Sequence, residues 1–529
     1  MTLFVAALIV ATVVSGLWCA GDLLLARRPA WPLPGRTVVV TLAVLSSLLG
    51  LAAALRVFLV PAHHAMYLDE PRYGEAACNL ARHGLLMHCR LTWSGPLCDF
   101  YDKALGWPLL LAPLLRLFGC ASATGIALNR VLGVLTVPLV ALVARGAGAR
   151  WWQAAAAAAL LAVHPVHVEW SATGETNVSA ALMLLAGVGG GLVYLSRGLS
   201  SGAAQAASGL GLATAIRPEN LLPALVVALF LMWAAPARRW PRRLTAGLVG
   251  AVCATAAAAG LPLWLTNASI SGGAFLSSAN LLPNLRRLAE MPSAVGDAVL
   301  LLAAIAGALS LRRTSQRQAA WLLLGAGISA AAAALVYDRL QPRMLLGAVV
   351  CLAPLSGMFL ADTARRRPWL AVLLLAPVAL PWIAALRATA TPPETQVLET
   401  RIAARATELP RATFALFIAE QPAVLTGEGV RHVMSTQEAL RDETALLDRI
   451  DAAVLPPVYF LFDMYCEPDF QGATAVAQCG RFLQRFTVSP VAEEALHGRR
   501  YSIGRVTGVA AGGRGPADGD QPNAWRGRR

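Results

Sequence analysis

Charged residues are scarce in this sequence. Only 14% of its 529 residues are Asp, Glu, Lys or Arg, whereas soluble domains carry about 25%. Hydrophobic residues make up 57% of the chain, and the mean hydropathy is +0.58. So small a charged fraction excludes an ordinary soluble protein, and the composition predicts a polytopic membrane protein.

Signatures of nucleic-acid and nucleotide binding are also missing. The sequence has no zinc-finger spacing, no Walker loop, no GxGxxG after a predicted strand and no internal repeat of fixed period. Its net charge of +14 comes mostly from loops between apolar runs, where Lys and Arg can face anionic lipid headgroups. We therefore expect membrane lipids, and no nucleic acid, among its partners.

Apolar runs predict eleven or twelve transmembrane helices, because about 20 apolar residues cross roughly 30 Å of hydrocarbon. The last run is a twelfth crossing if the short run 203–216 crosses completely. The predicted spans are residues 2–25, 37–60, 121–144, 152–168, 178–196, 203–216, 220–235, 244–266, 296–311, 319–336, 344–361 and 369–388.

Arginine placement predicts the orientation of these spans. One alternating set of loops holds sixteen cations and a single acid, Asp362, whereas the other set holds cations and acids in similar numbers. Because loops rich in Lys and Arg stay in the cytoplasm, we expect a multi-pass plasma (inner) membrane protein with both termini outside. No basic residue precedes the first span and Arg27 and Arg28 follow it, which indicates a retained anchor and not a cleaved signal peptide.

Two segments are too long and polar to be simple connections, namely 61–120 and everything after 388. The second combines helical stretches with the apolar runs TFALFIA and PVYFLFDMY, a mixture typical of α/β domains. The predicted fold is an all-α membrane bundle with a large first outer loop containing interfacial helices, plus a small C-terminal α/β extracytoplasmic domain. The predicted parts are an N-terminal anchor and basic inner loop (1–36), the transmembrane domain (37–388), the α/β domain (389–505, with helices at 394–408, 436–450 and 471–485) and a disordered tail (506–529).

Cysteine positions give a second indication of sidedness. Most of the nine cysteines fall in the segments predicted to be outside, where disulfides are permitted. Cys466 with Cys479 is the predicted pair. Cys89 with Cys98 is a second possibility, for which Cys78 competes, and free thiols throughout remain an alternative.

Acids and cations cluster in the first predicted outer loop. The stretch MYLDEPRYGEAACNLARHG places Asp69, Glu70, Arg72 and Glu75 directly after an outward-running span. The same loop ends in DFYDKALGWPLLLAPLLRLFG, which contains Lys103, the single lysine among the 44 Lys and Arg residues. Chance could leave one lysine, but the exception favours a position that needs a compact ammonium group. The following GWPLLLAPLLRLFG is too short to span and predicts an interfacial helix.

Other predicted outer connections repeat the pattern of charge beside an apolar helix end. Ionisable groups at membrane depth are costly and by default indicate function. Sugar transfer from a lipid phosphate to a hydroxyl needs a base for the acceptor proton and fixed positive charge for the departing phosphate. The residues concerned are His164, His167, Glu169, Glu175, Arg217, Glu219, Tyr337, Asp338, Arg339 and Arg343.

The order of these motifs resembles the C-type (GT-C) superfamily of membrane glycosyltransferases, in particular the branch with protein O-mannosyltransferases and the aminoarabinose transferase. The resemblance covers residues 37 to 361 and rests on LDEPRYGEAA, FYDKALGWPLLLAPLLRLFG, NRVLGVLTVPLVALVAR, AIRPENLL and QPRMLL. It implies an inverting transferase that uses a polyprenyl-phosphate-linked sugar and an extracytoplasmic acceptor, whether protein, lipid or polysaccharide.

The resemblance also implies roles for individual residues. Asp69 corresponds to the catalytic aspartate, with Glu70 beside it, and Lys103 to a lysine that contacts the donor phosphate. Arg217 and Arg343 are further donor-phosphate candidates, and Glu175 resembles an acid of the second outer loop. The supporting candidates are Arg72, Tyr73, Asp102, Glu175, Glu219, Tyr337 and Arg339.

Metal binding and two other functions stay open. His164, His167 and Glu169 have a spacing that could hold a metal, but Pro165 interrupts a regular helix there, which favours the absence of a metal. A divalent cation held through Asp69 and Glu175 is the other form it could take. A transporter would place charges near the midplane in repeated halves, and a non-catalytic scaffold would act through its C-terminal domain.

Overall fold

The structure is a computed structural model that describes residues 7, 9–17, 35–63, 69–100, 104–234, 277–291, 293–311, 314–337, 340–409, 411–452, 455–467 and 473–510. The chain forms two compact units. We call one the helical unit (Met1–Val60, Asp102–Leu110 and Ala127–Ala390) and the other the sheet unit (Pro61–Tyr101, Leu111–Ile126 and Thr391–Arg529).

The described residues form both apolar helices, which follow the apolar runs of the sequence, and polar helices such as α2, α15 and α18. In chain order they are α1 Gly35–Ala54, α2 Asp69–His83, α3 Gly106–Phe118, α4 Ser122–Gly146, α5 Trp151–Ala162, α6 Pro165–Ser171, α7 Asn177–Arg197, α8 Ser200–Ile216, α9 Leu221–Ala234, α10 Leu281–Glu290, α11 Ala294–Ser310, α12 Thr314–Leu335, α13 Leu346–Arg366, α14 Pro368–Thr389, α15 Glu394–Glu408, α16 Pro422–Gly427, α17 Thr436–Arg441, α18 Glu443–Asp451 and α19 Ala473–Arg485.

The described residues contain five helices long and apolar enough to cross a membrane: Ser122–Gly146, Asn177–Arg197, Ser315–Leu335, Pro342–Arg366 and one within Pro368–Glu408. A sixth is the pair Ser278–Glu290 and Ala294–Ser310, if its 107° bend lies within one span. The predicted spans 37–60, 152–168 and 220–235 correspond to shorter apolar helices, and 203–216 lies within α8. The predicted span 244–266 and most of 2–25 lie outside the described residues. The chain is an integral membrane protein with a helical bundle, as its composition predicts.

The predicted span 152–168 is broken in the structure. Helix α5 ends at Ala162 and α6 begins at Pro165. Pro165 cannot donate a backbone hydrogen bond to continue α5, and the His164 side chain instead caps α6 by accepting from the His167 backbone N–H. His164 and His167, at this break, are both buried in the helical unit.

Glycines allow α7 and α8 to pack closely. A Cβ at Gly190 would lie 2.6 Å from the Ala206 nitrogen, and one at Gly202 would lie 2.7 Å from the Gly190 oxygen. Gly198, at φ +69°, ends α7 in the left-handed conformation that glycine adopts easily. Small residues at such contacts are a general feature of helix packing in membranes.

The sheet unit is built around seven strands from distant parts of the chain. These are β1 Met87–Thr92, β2 Gly95–Phe100, β3 Leu416–Ala419, β4 Val433–Ser435, β5 Val458–Phe462, β6 Phe486–Leu496 and β7 Arg499–Val509, in the spatial order β2-β1-β4-β3-β5-β7-β6. The β1–β2 hairpin of the first large loop joins the C-terminal strands through one parallel pairing, Leu91 with Met434. Sequence reasoning predicted interfacial helices in this loop and did not predict the hairpin.

Strand β3 explains why the C-terminal part folds as an α/β domain. Its residues alternate between two hydrophobic clusters, with Phe417 and Ala419 in one and Leu416 and Ile418 in the other. All four are buried, which is expected of a central parallel strand covered on both faces. The predicted α/β fold is therefore confirmed.

Three disulfides lie in the sheet unit: Cys78–Cys120, Cys89–Cys98 and Cys466–Cys479. The predicted pair Cys466–Cys479 is confirmed, and so is Cys89–Cys98. Cys78, which competed for the second pair, is bonded to Cys120. Free thiols throughout are thereby excluded.

Candidate functional site

Three helix starts bring polar residues together in the helical unit. Helix α7 begins at Asn177, just after Glu175. Helices α9 and α13 follow short 3-10 turns, Pro218–Asn220 and Pro342–Leu345. Each turn has proline at its first position, where a missing N–H costs nothing. The arginines Arg217 and Arg343 lie at these two turns.

Glu175, Arg217, Glu219 and Arg343 form what we call the arginine–carboxylate cluster. Arg343 Nη1 lies 2.9 Å from Glu175 Oε1, and Arg217 Nη1 lies 3.8 Å from Glu175 Oε2. Arg217 also forms an ion pair with Glu219. Four residues that were predicted separately from the sequence are thus brought together.

Additional contacts hold Arg217 at the start of α7. Its Nη1 donates to Thr176 Oγ1 at 3.1 Å and to Asn177 Oδ1 at 2.9 Å. Asn177 in turn donates from Nδ2 to the Arg343 backbone oxygen at 3.2 Å. Both arginine segments are therefore tied to the same helix end.

The cluster is deeply buried. Glu175 is 1% exposed, Arg343 4% and Arg217 11%. The Arg343 guanidinium stacks 5.0 Å from the centre of the Trp170 ring, a contact that favours a cation. Its Nε is buried and has no hydrogen-bond partner among the described residues. A buried donor without a partner is costly, so this atom favours an anionic ligand.

Asn129 supports the Glu175 segment from helix α4. Its Nδ2 donates to three backbone oxygens, those of Trp170, Thr173 and Glu175, at 3.1, 2.9 and 2.8 Å. Sequence reasoning did not single out Asn129. Its signal was the single amide side chain in the sequence of α4.

The two histidines at the start of α6, His164 and His167, have separate partners. His164 Nε2 lies 2.9 Å from Asp297 Oδ1. His167 Nδ1 lies 2.6 Å from Nη2 of Arg56, which also donates to the Ala162 backbone oxygen at the end of α5. No group of three or more His, Cys, Asp and Glu residues suited to a metal ion occurs in the part of the chain that the structure describes. Neither Arg56 nor Asp297 was a sequence candidate.

Asp69 and Glu70 lie in the first turn of α2, in the sheet unit. Negative charge is favoured there because backbone N–H groups point out of a helix start. Arg72 and Tyr73 follow in the same helix. Glu75 accepts from the Cys89 backbone N–H at 2.8 Å and connects α2 to β1, which is a structural role.

Four of the charged residues singled out from the sequence lie outside the described residues: Asp102, Lys103, Asp338 and Arg339. Tyr337 is described, and its backbone oxygen accepts from Asn284 Nδ2 at 2.7 Å. The structure therefore brings one group of candidates together in the helical unit and another in α2 of the sheet unit.

Comparison by sequence yields no match: no protein-family model matches this chain, and neither does any curated protein. Comparison by fold gives clear similarities. ArnT from Cupriavidus metallidurans bound to undecaprenyl phosphate has a TM-score of 0.53 at 14% identity, covering 91% of this chain and 99% of that chain.

Archaeal oligosaccharyltransferase structures from Archaeoglobus fulgidus are similar as well. AglB in complex with an inhibitory peptide and a dolichol-phosphate has a TM-score of 0.52 at 13% identity, covering 88% of this chain and 74% of that one. The complex with zinc and sulfate has a TM-score of 0.50 at 13% identity and covers 74% of this chain. This protein spans 62% of that chain's length. At such identities the similarity establishes the fold.

Proposed function

Because the chain has the fold of the GT-C membrane glycosyltransferases, we propose that it transfers a sugar from a polyprenyl-phosphate donor to an extracytoplasmic acceptor with inversion. The observation that carries the proposal is the buried arginine pair of the arginine–carboxylate cluster, with Arg343 Nε lacking a partner among the described residues.

The arginine–carboxylate cluster is the proposed site of the donor phosphate. Two guanidinium groups supply fixed positive charge, and Arg217 and Arg343 lie where helix starts add their own positive potential. Glu175 balances part of this charge and keeps both guanidiniums in place. The similar structures of ArnT and AglB contain undecaprenyl phosphate and a dolichol-phosphate, which supports a lipid phosphate as the ligand.

In the proposed reaction, the family resemblance assigns to Asp69 the role of taking the proton of the acceptor hydroxyl. The acceptor oxygen forms a bond to the anomeric carbon while the bond from that carbon to the phosphate oxygen breaks. Attack on the face opposite the phosphate inverts the anomeric centre. The departing lipid phosphate gains negative charge, which Arg217, Arg343 and, by resemblance, Lys103 stabilise.

We place the reaction on the extracytoplasmic side. The arginine-rich loops mark the cytoplasmic face, and the three disulfides of the sheet unit need an oxidising compartment. A plasma-membrane protein with its sheet unit outside satisfies both conditions.

Two single variants test the two halves of the proposal, phosphate binding by the arginine–carboxylate cluster and proton removal by Asp69. Arg343→Gln removes a buried guanidinium, so we expect the purified protein to retain at least tenfold less added undecaprenyl phosphate by native mass spectrometry. Asp69→Asn should retain the lipid as wild type does and abolish transfer in membranes supplied with the lipid-linked donor.

The matched control is Arg365→Gln, which changes an exposed arginine in the last turn of α13, the helix that follows Arg343. We expect wild-type lipid retention from it. If Arg343→Gln and wild type retain equal amounts of undecaprenyl phosphate, the arginine–carboxylate cluster is not the donor-phosphate site. Full transfer by Asp69→Asn would remove Asp69 from the role of base.

A further inference from the structure

A cleft of about 600 Å³ opens in the sheet unit, apart from the residues discussed so far. It lies where the parallel strands β1 and β4 end, between the β1–β2 turn and helix α17. Its volume is within the range of about 300–1,000 Å³ that is usual for small-molecule sites.

The cleft arises because β1 and β4 separate beyond their single pairing, Leu91 with Met434. After it, β1 turns into the hairpin and β4 continues into α17. Trp93, at the β1–β2 turn, connects the hairpin to α17, since its Nε1 donates to the Glu438 backbone oxygen at 2.8 Å. A crevice at the carboxyl ends of parallel strands is where open α/β sheets commonly bind ligands.

Hydroxyl, amide and guanidinium groups line most of the cleft. Glu438 is the one acid among its lining residues, and it is already 3.5 Å from Arg441 Nη1 while accepting from the Trp93 backbone N–H. None of the lining residues that the structure describes is aromatic. The lining residues that matter here are Arg90, Thr92, Ser94, Ser435, Gln437 and Arg441.

We propose that this cleft binds an acidic saccharide. The two guanidiniums of Arg90 and Arg441 suit a carboxylate or phosphate on the sugar, and the hydroxyls and Gln437 suit its hydroxyl groups. The further step, that this saccharide belongs to the acceptor, rests on the proposed function. The cleft then selects an acceptor that carries negative charge.

Direct binding tests the cleft without any need for transfer activity. Titration of the full-length protein in detergent with tetragalacturonic acid should show saturable binding, and neutral maltotetraose at the same concentration should not compete. The double variant Arg90→Gln/Arg441→Gln should bind the acidic probe at least tenfold more weakly. Ser94→Trp, which fills the turn without changing charge, should also weaken binding.

The control is Arg500→Gln, an exposed arginine on β7 that is three strands away from β4 in the sheet. It should bind as wild type does. Equal affinity in the double variant, or equal affinity for the neutral probe, would overturn the inference. Inorganic phosphate that binds as tightly as tetragalacturonic acid would overturn the saccharide assignment.

The two proposals fail in distinguishable ways. Loss of tetragalacturonate binding in the double variant, with undecaprenyl phosphate retention intact, supports the cleft whatever the fate of Asp69. Unchanged tetragalacturonate binding overturns the cleft even if Asp69→Asn abolishes transfer.

Discussion

At the scale of single residues, Glu175 matters most for the helical unit. It is nearly fully buried and faces two guanidiniums. Removing one partner of a buried ion pair typically costs about 3–5 kcal/mol, because the other charge stays buried. We therefore expect Glu175→Ala to lower the thermal stability of the detergent-solubilised protein strongly, as followed by size-exclusion chromatography after heating.

Glu219→Ala is the matched control for Glu175. Glu219 pairs with the same Arg217 but is 16% exposed, so water replaces part of the lost interaction. A smaller loss of stability is expected. Equal melting temperatures for the two variants would contradict the prediction that Glu175 stabilises the protein more than Glu219 does.

Asp463 predicts a pH dependence in the sheet unit. It follows β5, is fully buried, and burial together with Glu420 and Glu467 raises its pKa to about 7. An ordinary unfolded aspartate has a pKa of about 3.9, so the folded state binds more protons between these values. The free energy of unfolding then falls as pH rises from about 4 to about 7.

Asp463→Asn should remove the part of the pH-dependent loss of stability that comes from Asp463, because asparagine does not ionise. Asn can still accept from the Tyr465 backbone N–H, as Asp463 Oδ1 does at 3.0 Å. We expect the variant to melt higher than wild type at pH 8 and to match it at pH 4, measured by circular dichroism. The exposed Asp451→Asn is the control, and a similar gain there would refute the assignment.

Single residues also show where sequence reasoning ends. Glu175, Arg217, Glu219 and Arg343 were recognisable as charges beside apolar helix ends. Asn129, Arg56 and Asp297 were not recognisable, because the partner of each side chain is more than forty positions away in the sequence. Periodicity does not encode such partners.

At the scale of elements, the contact between α7 and α8 depends on glycine. A Cβ at Gly190 would lie 2.6 Å from the Ala206 nitrogen and 2.7 Å from the Gly202 oxygen, both backbone atoms. Overpacking of this kind costs about 1–3 kcal/mol. We expect Gly190→Ala to reduce the yield of monodisperse protein and lower its melting temperature.

Gly50→Ala in α1 should not lower the melting temperature, in contrast to Gly190→Ala. Nothing lies within 4 Å of a Cβ built there, and alanine favours a helix by about 1 kcal/mol over glycine. Its melting temperature should equal or exceed that of wild type. If both substitutions have the same effect, close packing of α7 and α8 is not what limits stability.

Elements with their own periodicity were predictable, whereas non-local pairings were not. The predicted helix 394–408 coincides with α15, and 471–485 is close to α19. The predicted helix 436–450 is two helices, because Asp442 caps α18 by accepting from the Ala445 backbone N–H. The β1–β2 hairpin was missed, because its partner strand comes from the other end of the chain.

At the scale of the whole molecule, the first large loop and the C-terminal residues fold as one unit. A chain ending at Ala390 would keep β1 and β2 and lose the five remaining strands. An isolated two-stranded hairpin is marginally stable in water. We expect this truncation to expose residues 87–100 to protease and to abolish transfer, as measured by limited proteolysis with mass spectrometry and by the membrane transfer assay.

A chain ending at Ala510 is the control, since it keeps all seven strands. It should resist protease in the same region. Transfer by the chain that ends at Ala390 would mean that the C-terminal strands are dispensable for the reaction.

The distance in sequence between β1 and β4 has a consequence for biogenesis. Leu91 and Met434 are roughly 340 residues apart, and a ribosome adds about 5–20 residues per second, so β1 waits on the order of 20–70 s for its neighbour. During that time the membrane bundle is being inserted and the hairpin is held by the Cys89–Cys98 bond. The sheet unit is therefore completed only after the residues up to Met434 have been synthesised, and chaperones have that interval in which to bind the unpaired hairpin.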